Sequence, residues 1–405
     1  MKVLQVHNFY QEAGGEDYVF AAECELLRSK GHRVRQYSVS NHDLEKMSGI
    51  DIAVRTLWNT KTFNEIRGLL QEEQPDIVHC HNTFPLISPA VYYAAHAAGV
   101  PVVQTLHNFR LLCPGSTFYR AGRVCEDCIH SAIPYRSIWH ACYRHSRAAS
   151  ASSATMLAVH RAAGTWRSKI HTYIALTEFG RMKFIEGGLP AERVVVKPNF
   201  LRSDPGIGAG SGGYAVFVGR LVEEKGLRTL LKAWDSVQHI PLKIAGIGPL
   251  AGLIKQRAAP LPNIEYLGQC SRSEIFELLR SAAVLICPSE WYEGALPLSI
   301  IEALACGTPV VCSDLGSMND LQGSEAVSVR FEAGNPTALA DVIRSLFAEP
   351  GRLFLMRQGA RRAYEERYTP EDNYEQLVRI YENATAARFG DKPHTNVDIN
   401  PISRQ

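Results

Sequence analysis

The chain has 405 residues, more than one hydrophobic core usually supports, so two domains are expected. Its 46% hydrophobic and 21% charged residues exclude a largely disordered chain, and 43 Lys+Arg against 41 Asp+Glu leave a net charge of +2, too near balance for a general nucleic-acid binder. The N-terminal MKVLQVHNFY lacks a signal-peptide core, and no run of apolar residues is long enough to span a membrane. Ten cysteines are too sparse for a disulfide scaffold and read as thiols or metal ligands of a cytoplasmic protein.

In chain order, Lys2–His7 reads as a buried strand that ends in a loop holding Gly14 and Gly15. A helix over Glu16–Ser29 follows, with Val19, Phe20, Cys24 and Leu27 on one face and Gly31 placed to stop it. Strands are expected at His32–Tyr37, Ile77–His79 and Val102–Thr105, with a helix around Pro89–Ala98. Residues 203–213, SDPGIGAGSGG, read as a linker. Beyond it the alternation restarts, with strands Ala215–Val218, Leu242–Ala245, Ile264–Tyr266, Val284–Cys287 and Pro309–Cys312 and helices Leu227–Val237, Arg272–Arg280 and Leu298–Ala305. Alternating strands and helices indicate βαβ units, so the fold class is α/β with two Rossmann-like parallel-sheet domains. Open sheets of this kind bind ligands at the carboxyl ends of their strands, which places a site in the cleft between the domains.

The loops name a ligand class. YAVFV runs into GRLVEEKG, where Gly219 permits a sharp turn and Arg220 and Lys225 place two cations beside a helix start, suited to a diphosphate. The loop QEAGGEDY offers the backbone N–H groups of Gly14 and Gly15 to a phosphate. Glu302 falls among Leu298, Ile300, Ile301 and Leu304, where a carboxylate needs partners such as the vicinal hydroxyls of a ribose. Glu293, with Gly294, would face the group attached to the diphosphate.

These motifs resemble the family-4 retaining glycosyltransferases of the GT-B fold. The resemblance extends through TLHN at 105–108, KPNF at 197–200 and IAGIGPL at 244–250. It implies a 1–202 acceptor-side domain, a 203–370 nucleotide-sugar-binding domain and a final helix, about 373–387, packed back on the first domain. Residues 388–405 read as a disordered tail. It further implies that Arg220 and Lys225 hold the departing diphosphate, that Glu302 binds the ribose, and that Glu293 contacts the transferred sugar beside Gly294, Ala295 and Leu296. Gly15 would lie near the phosphates and His107 would hydrogen-bond the donor sugar. No cofactor is expected for catalysis. The donor would be a nucleoside-diphosphate sugar and the acceptor a hydroxyl of a sugar or lipid-linked glycan, in polysaccharide or glycoconjugate synthesis. One departure stands out: eight residues lie between Glu293 and Glu302, where the family usually has seven. Rival readings are a same-fold epimerase or phosphorylase, a dehydrogenase suggested by GIGPLAG, and a catalytically silent nucleotide-binding module.

Two further features stand apart from the donor motifs. Cys113, Cys125, Cys128 and Cys142 form a candidate structural zinc site, with Cys125 and Cys128 at zinc-knuckle spacing. Between Cys128 and Glu178 there is no acidic residue, while Arg136, Arg144, Arg147, Arg161, Arg167 and Lys169 alternate with Ile138, Trp139, Met156, Leu157 and Trp166. A basic, aromatic stretch of this kind suits the anionic inner face of a membrane, which makes the expected location cytoplasmic and peripheral.

Overall fold

The computed structural model describes residues 1–12, 14–321 and 327–386; the expected tail, 388–405, lies outside them. In the first half, β1 (Lys2–Phe9), β2 (Arg33–Ser40), β3 (Ile77–Asn82), β4 (Val102–Leu106), β7 (Thr172–Ala175) and β8 (Val194–Val196) form one parallel sheet in the order β2-β1-β3-β4-β7-β8. A two-stranded hairpin, β5 (Tyr119–Arg120) and β6 (Arg123–Val124), stands outside it. In the second half, β9 (Ala215–Val218), β10 (Leu242–Ala245), β11 (Ile264–Gly268), β12 (Val284–Cys287), β13 (Val310–Ser313) and β14 (Ser328–Phe331) pair in the order β11-β10-β9-β12-β13-β14. These are two Rossmann-like sheets of a GT-B fold.

The central strands β3, β4, β12 and β13 are buried along their whole length, as a parallel sheet covered by helices on both faces requires. In each sheet the order reverses beside the first strand, between β1 and β3 and between β9 and β12. The loops that leave β9 and β12 carry Arg220, Lys225 and Glu293, and His107 leaves β4, next to β3 in the first sheet, so the topology sets the candidate site at the carboxyl ends of the strands.

Residues 203–213 are held as a strap. Gly208, Gly210 and Gly212 donate backbone N–H groups to the carbonyls of Cys306, Arg280 and Ser281, and Arg361 pairs with Asp204. A Cβ at Gly208 would lie 2.2 Å from the Arg280 carbonyl oxygen. Close backbone approach therefore accounts for glycine there, rather than the flexibility that composition suggests. Helix Pro350–Arg367 packs on the second domain through Met356, Ala360 and Tyr364. The next helix, Pro370–Ala386, crosses over and buries Leu377, Ile380, Tyr381 and Ala384 against Val3, Ile77, Val103 and Ile174 of the first sheet. Among the described residues, no helix is long and apolar enough to cross a membrane.

Candidate active site

On the first-domain side, the end of β4 presents His107 and Asn108. His107 Nε2 lies 3.0 Å from His81 Nδ1. Burial, and then the neighbouring His81 and His7 rings, hold the His107 imidazole well below its ordinary range, so it is neutral at physiological pH. The glycine loop differs from expectation in one respect. The N–H of Gly14 donates to Asp17 Oδ2 at 2.8 Å, and the other Asp17 oxygen contacts His7 Nε2 at 2.6 Å, so Gly14 caps its own helix and has no N–H to offer a phosphate. Gly15 opens helix Gly15–Ser29 and faces the second domain, where a Cβ would touch Leu298 at 3.5 Å. Glu16, beside it, accepts from Asn108 Nδ2 at 3.3 Å, and burial pushes its carboxyl up to about 8.

On the second-domain side, Arg220 is exposed at the end of β9 and has no hydrogen-bond or ion-pair partner among the described residues. Lys225 ends a short turn before helix Leu227–Trp234, and its Nζ lies 2.5 Å from Glu293 Oε1, which also accepts from Ser289 Oγ at 2.7 Å. The altered glutamate spacing thus leaves Glu293 beside Lys225. Glu290 is engaged elsewhere, accepting from Thr229 Oγ1 at 2.6 Å. The two sides touch at Gly294, where a Cβ would lie 2.4 Å from the His107 carbonyl oxygen. Ala295 packs against the first-domain core, whereas the Leu296 side chain is buried in the second-domain core and can offer a ligand only its backbone.

Glu302 is nearly buried on helix Leu298–Ala305, 3.1 Å from Arg272 Nη2. Burial pushes its carboxyl up to about 7, against the opposing pull of Arg272. Arg272 in turn stacks over the Tyr18 ring of the first domain, 4.1 Å from its centroid. Sequence reasoning missed Arg272, Glu16, Glu23 and His81. Only the absence of a nearby partner for Glu302 hinted that some cation had to come from elsewhere.

The four cysteines gather in one neighbourhood as free thiols. A Cβ at Gly115 would lie 3.5 Å from Cys142 Cβ and 3.7 Å from Cys113 Sγ. Burial, followed by the thiols of Cys113, Cys142 and Cys125, pushes Cys128 up to about 12. Among the described residues, however, the one group of three or more ligand atoms that converges within 4.8 Å is Glu23, His79 and His81, not the cysteines. A zinc ion at the thiols would require their sulfurs to draw closer together.

The basic stretch is not one amphipathic face. Met156, Leu157 and Trp166 lie in the first-domain core, and Arg161 donates to the carbonyls of Ser131 and Leu111 at 2.5 and 2.8 Å. The outward residues include Ile133, Tyr135 and Trp139, the last 73% exposed, together with Arg136, Arg144, Arg147 and Arg167.

Comparison with known proteins matches residues 14–199 to the glycosyl transferase 4-like domain and residues 212–349 to the glycosyl transferases group 1 model. The chain is 24% identical to a phosphatidyl-myo-inositol mannosyltransferase of Mycobacterium leprae, over 91% of this chain and 92% of that protein. It is 26% identical to the putative teichuronic acid biosynthesis glycosyltransferase TuaC of Bacillus subtilis, over 62% of this chain and only 56% of TuaC. Among solved structures, Alr3699/HepE of Anabaena in complex with UDP superposes with a TM-score of 0.65 at 16% identity, covering 94% of this chain and 100% of that one. Sucrose-phosphate synthase of Thermosynechococcus elongatus superposes with a TM-score of 0.68 at 15% identity, over 95% of this chain and 99% of that one. At these identities the structural likeness speaks for the fold alone.

Proposed function

We propose, for a chain that belongs to the group 1 glycosyl transferases of the GT-B fold, that it moves a sugar from a nucleoside-diphosphate donor to a hydroxyl acceptor with retention of configuration. The observation that carries this reading is the Lys225–Glu293 ion pair beside Gly294, whose backbone meets that of His107 across the cleft. Lys225 and Arg220, which is unpartnered among the described residues, would neutralise charge growing on the departing diphosphate, where fixed cations act most strongly. Glu302 would take the ribose hydroxyls and His107 the sugar. Retention would follow from attack on the leaving-group face, with a phosphate oxygen receiving the acceptor proton. UDP and UDP-glucose bound to the Anabaena neighbour support a nucleotide donor.

Thermal-shift titration with nucleoside diphosphates tests the reading. One nucleotide series should stabilise the protein, by about 2.7 kcal/mol at a hundredfold excess over Kd, and Arg220→Ala and Glu302→Ala should abolish the shift. No shift with any nucleotide would overturn it. Glu302 adds a pH signature. Because its folded-state pKa, about 7, lies above the ordinary glutamate value of 4.5, its contribution to the stability of the free protein is full below the lower value and lost as pH rises through the higher. Nucleotide binding runs the other way, since ribose hydroxyls donate to the ionised carboxylate. Affinity should therefore fall between about pH 8 and about pH 6, and Glu302→Gln should flatten that dependence.

The acceptor is read as lipid-linked, on the strength of the exposed Ile133, Tyr135 and Trp139 set among arginines. Co-sedimentation with anionic vesicles should be lost when Arg136, Arg144 and Arg147 are reversed in charge. Binding unchanged by that reversal would refute the membrane contact.

A further inference from the structure

Behind His107 lies a buried charged cluster to which the transfer reading gives no work. Glu23, on helix Gly15–Ser29, is fully buried, and its Oε1 receives the Nζ of equally buried Lys197 at 2.7 Å. Its Oε2 lies 3.3 Å from His81 Nε2 and 3.7 Å from His79 Nδ1. His79 is fully engaged, with Nδ1 at 2.7 Å from Tyr381 OH and Nε2 at 2.8 Å from Thr105 Oγ1. His81 Nδ1 completes the path to His107 Nε2 at 3.0 Å. Taking two such ions out of water costs several kcal/mol each before their attraction is counted, so a pair placed here needs a reason.

Although Glu23, His79 and His81 converge closely enough to suggest a metal, Lys197 already neutralises the carboxylate and both His79 nitrogens have hydroxyl partners. The cluster is charge-complete without a cation. Its protons can be assigned from the anion outward. Burial alone would raise the Glu23 carboxyl, but the Lys197 ammonium, and after it His81 and His79, hold it well below the ordinary range, so it is a carboxylate. A lone pair on His81 Nε2 would repel that carboxylate, so Nε2 carries the proton. With one proton on His81, Nδ1 is then an acceptor, and His107 Nε2 must donate to it. A neutral His107 with its proton on Nε2 is left with a bare Nδ1, for which no protein partner is seen among the described residues.

We propose that Glu23, acting through His81, is a positioning group that fixes His107 as the Nε2–H tautomer and so presents Nδ1 as a hydrogen-bond acceptor to a hydroxyl of the transferred sugar. This rests on the reading of His107 as the sugar contact. Lys197, the first residue of KPNF, is what lets Glu23 remain an anion so deep in the domain. The chemistry selects a sugar carrying a hydroxyl at that position; a uronate carboxylate there would face the lone pair and be rejected.

The test labels histidine with 15N in the full-length protein and identifies the His107 signals by their loss in His107→Asn. The expected pattern is a protonated Nε2 and a bare Nδ1. Glu23→Gln/Lys197→Met, which removes both charges together so that neither is left buried alone, should mix the two tautomers. It should also lower kcat by about 10- to 100-fold, as loss of an outer hydrogen-bond partner does at other sites, with donor KM little changed and the melting temperature close to the parent's. A His107 protonated on Nδ1, as a cationic His81 would require, would overturn the proposal. So would a double variant with unaltered tautomer and kcat. Full turnover by His107→Asn would overturn the sugar contact itself while the nitrogen spectrum still reported the tautomer, which separates the two failures.

Discussion

Gly294→Ala should reduce sugar transfer by about two orders of magnitude or more, the loss typical when reacting groups are displaced by an ångström, while each domain stays folded. The added Cβ would lie 2.4 Å from the His107 carbonyl oxygen and 3.0 Å from Asn108 Cα. Both are backbone atoms at the end of a buried strand, so neither can swing aside as a side chain would. Gly294 is not among the glycines with positive φ, so alanine is conformationally acceptable and the whole effect falls on the approach of the two domains. Relief of the clash would carry Glu293 and Lys225 away from His107, separating the two halves of the site. Gly14→Ala is the natural control, because a Cβ there meets nothing within 4 Å. Steady-state kinetics beside thermal melts check both variants. A Gly294→Ala enzyme with parental kcat/KM would show that the 293–296 loop and His107 need not touch during transfer.

That contact also shows where the sequence stops being readable. Strands β9 and β12 and the helix bearing Glu302 were legible because each is a short apolar run bounded by turn residues, and Glu302 drew attention as a lone carboxylate among Leu298, Ile300 and Ile301. Strand β3 was read only as far as His79, since histidine and asparagine look like a loop. It continues to Asn82 because Tyr381 and Thr105 bond both nitrogens of His79, while His107 bonds His81 and Glu23 lies 3.3 Å from it, all from other parts of the chain. Such partners lie far off in the chain and leave no local period. Lys197 and Arg272 were hidden for the same reason: each is explained by a carboxylate on another element, Glu23 or Glu302. The glycines of 203–213 misled in the opposite sense. Composition cannot separate a glycine kept for freedom from one kept because another backbone passes within reach.

Lys225→Ala should be the most damaging single change on the donor side, lowering kcat by about 10²- to 10³-fold, the range seen when one preorganised charge-stabilising donor is removed. Two losses combine in it. The diphosphate loses a fixed cation, and Glu293, only 6% exposed, loses the ammonium 2.5 Å from its Oε1 and keeps only the Ser289 hydroxyl on that oxygen. A buried carboxylate without its counter-ion is costly, so part of the damage comes from Glu293 rather than from the phosphate. Lys225→Ala/Glu293→Gln separates the two. If the residues act as a pair, the double variant should melt higher than Lys225→Ala alone and lose less activity than the product of the single losses. The coupling energy should fall at about 0.5–3 kcal/mol, the usual range for residues in direct contact. Arg220→Ala, whose side chain is exposed and unpartnered among the described residues, should weaken transfer without any change in melting temperature. Strict additivity between Lys225 and Glu293 would mean that the close ion pair does not persist once the donor is bound, with the lysine turned wholly to the diphosphate and the glutamate to the sugar.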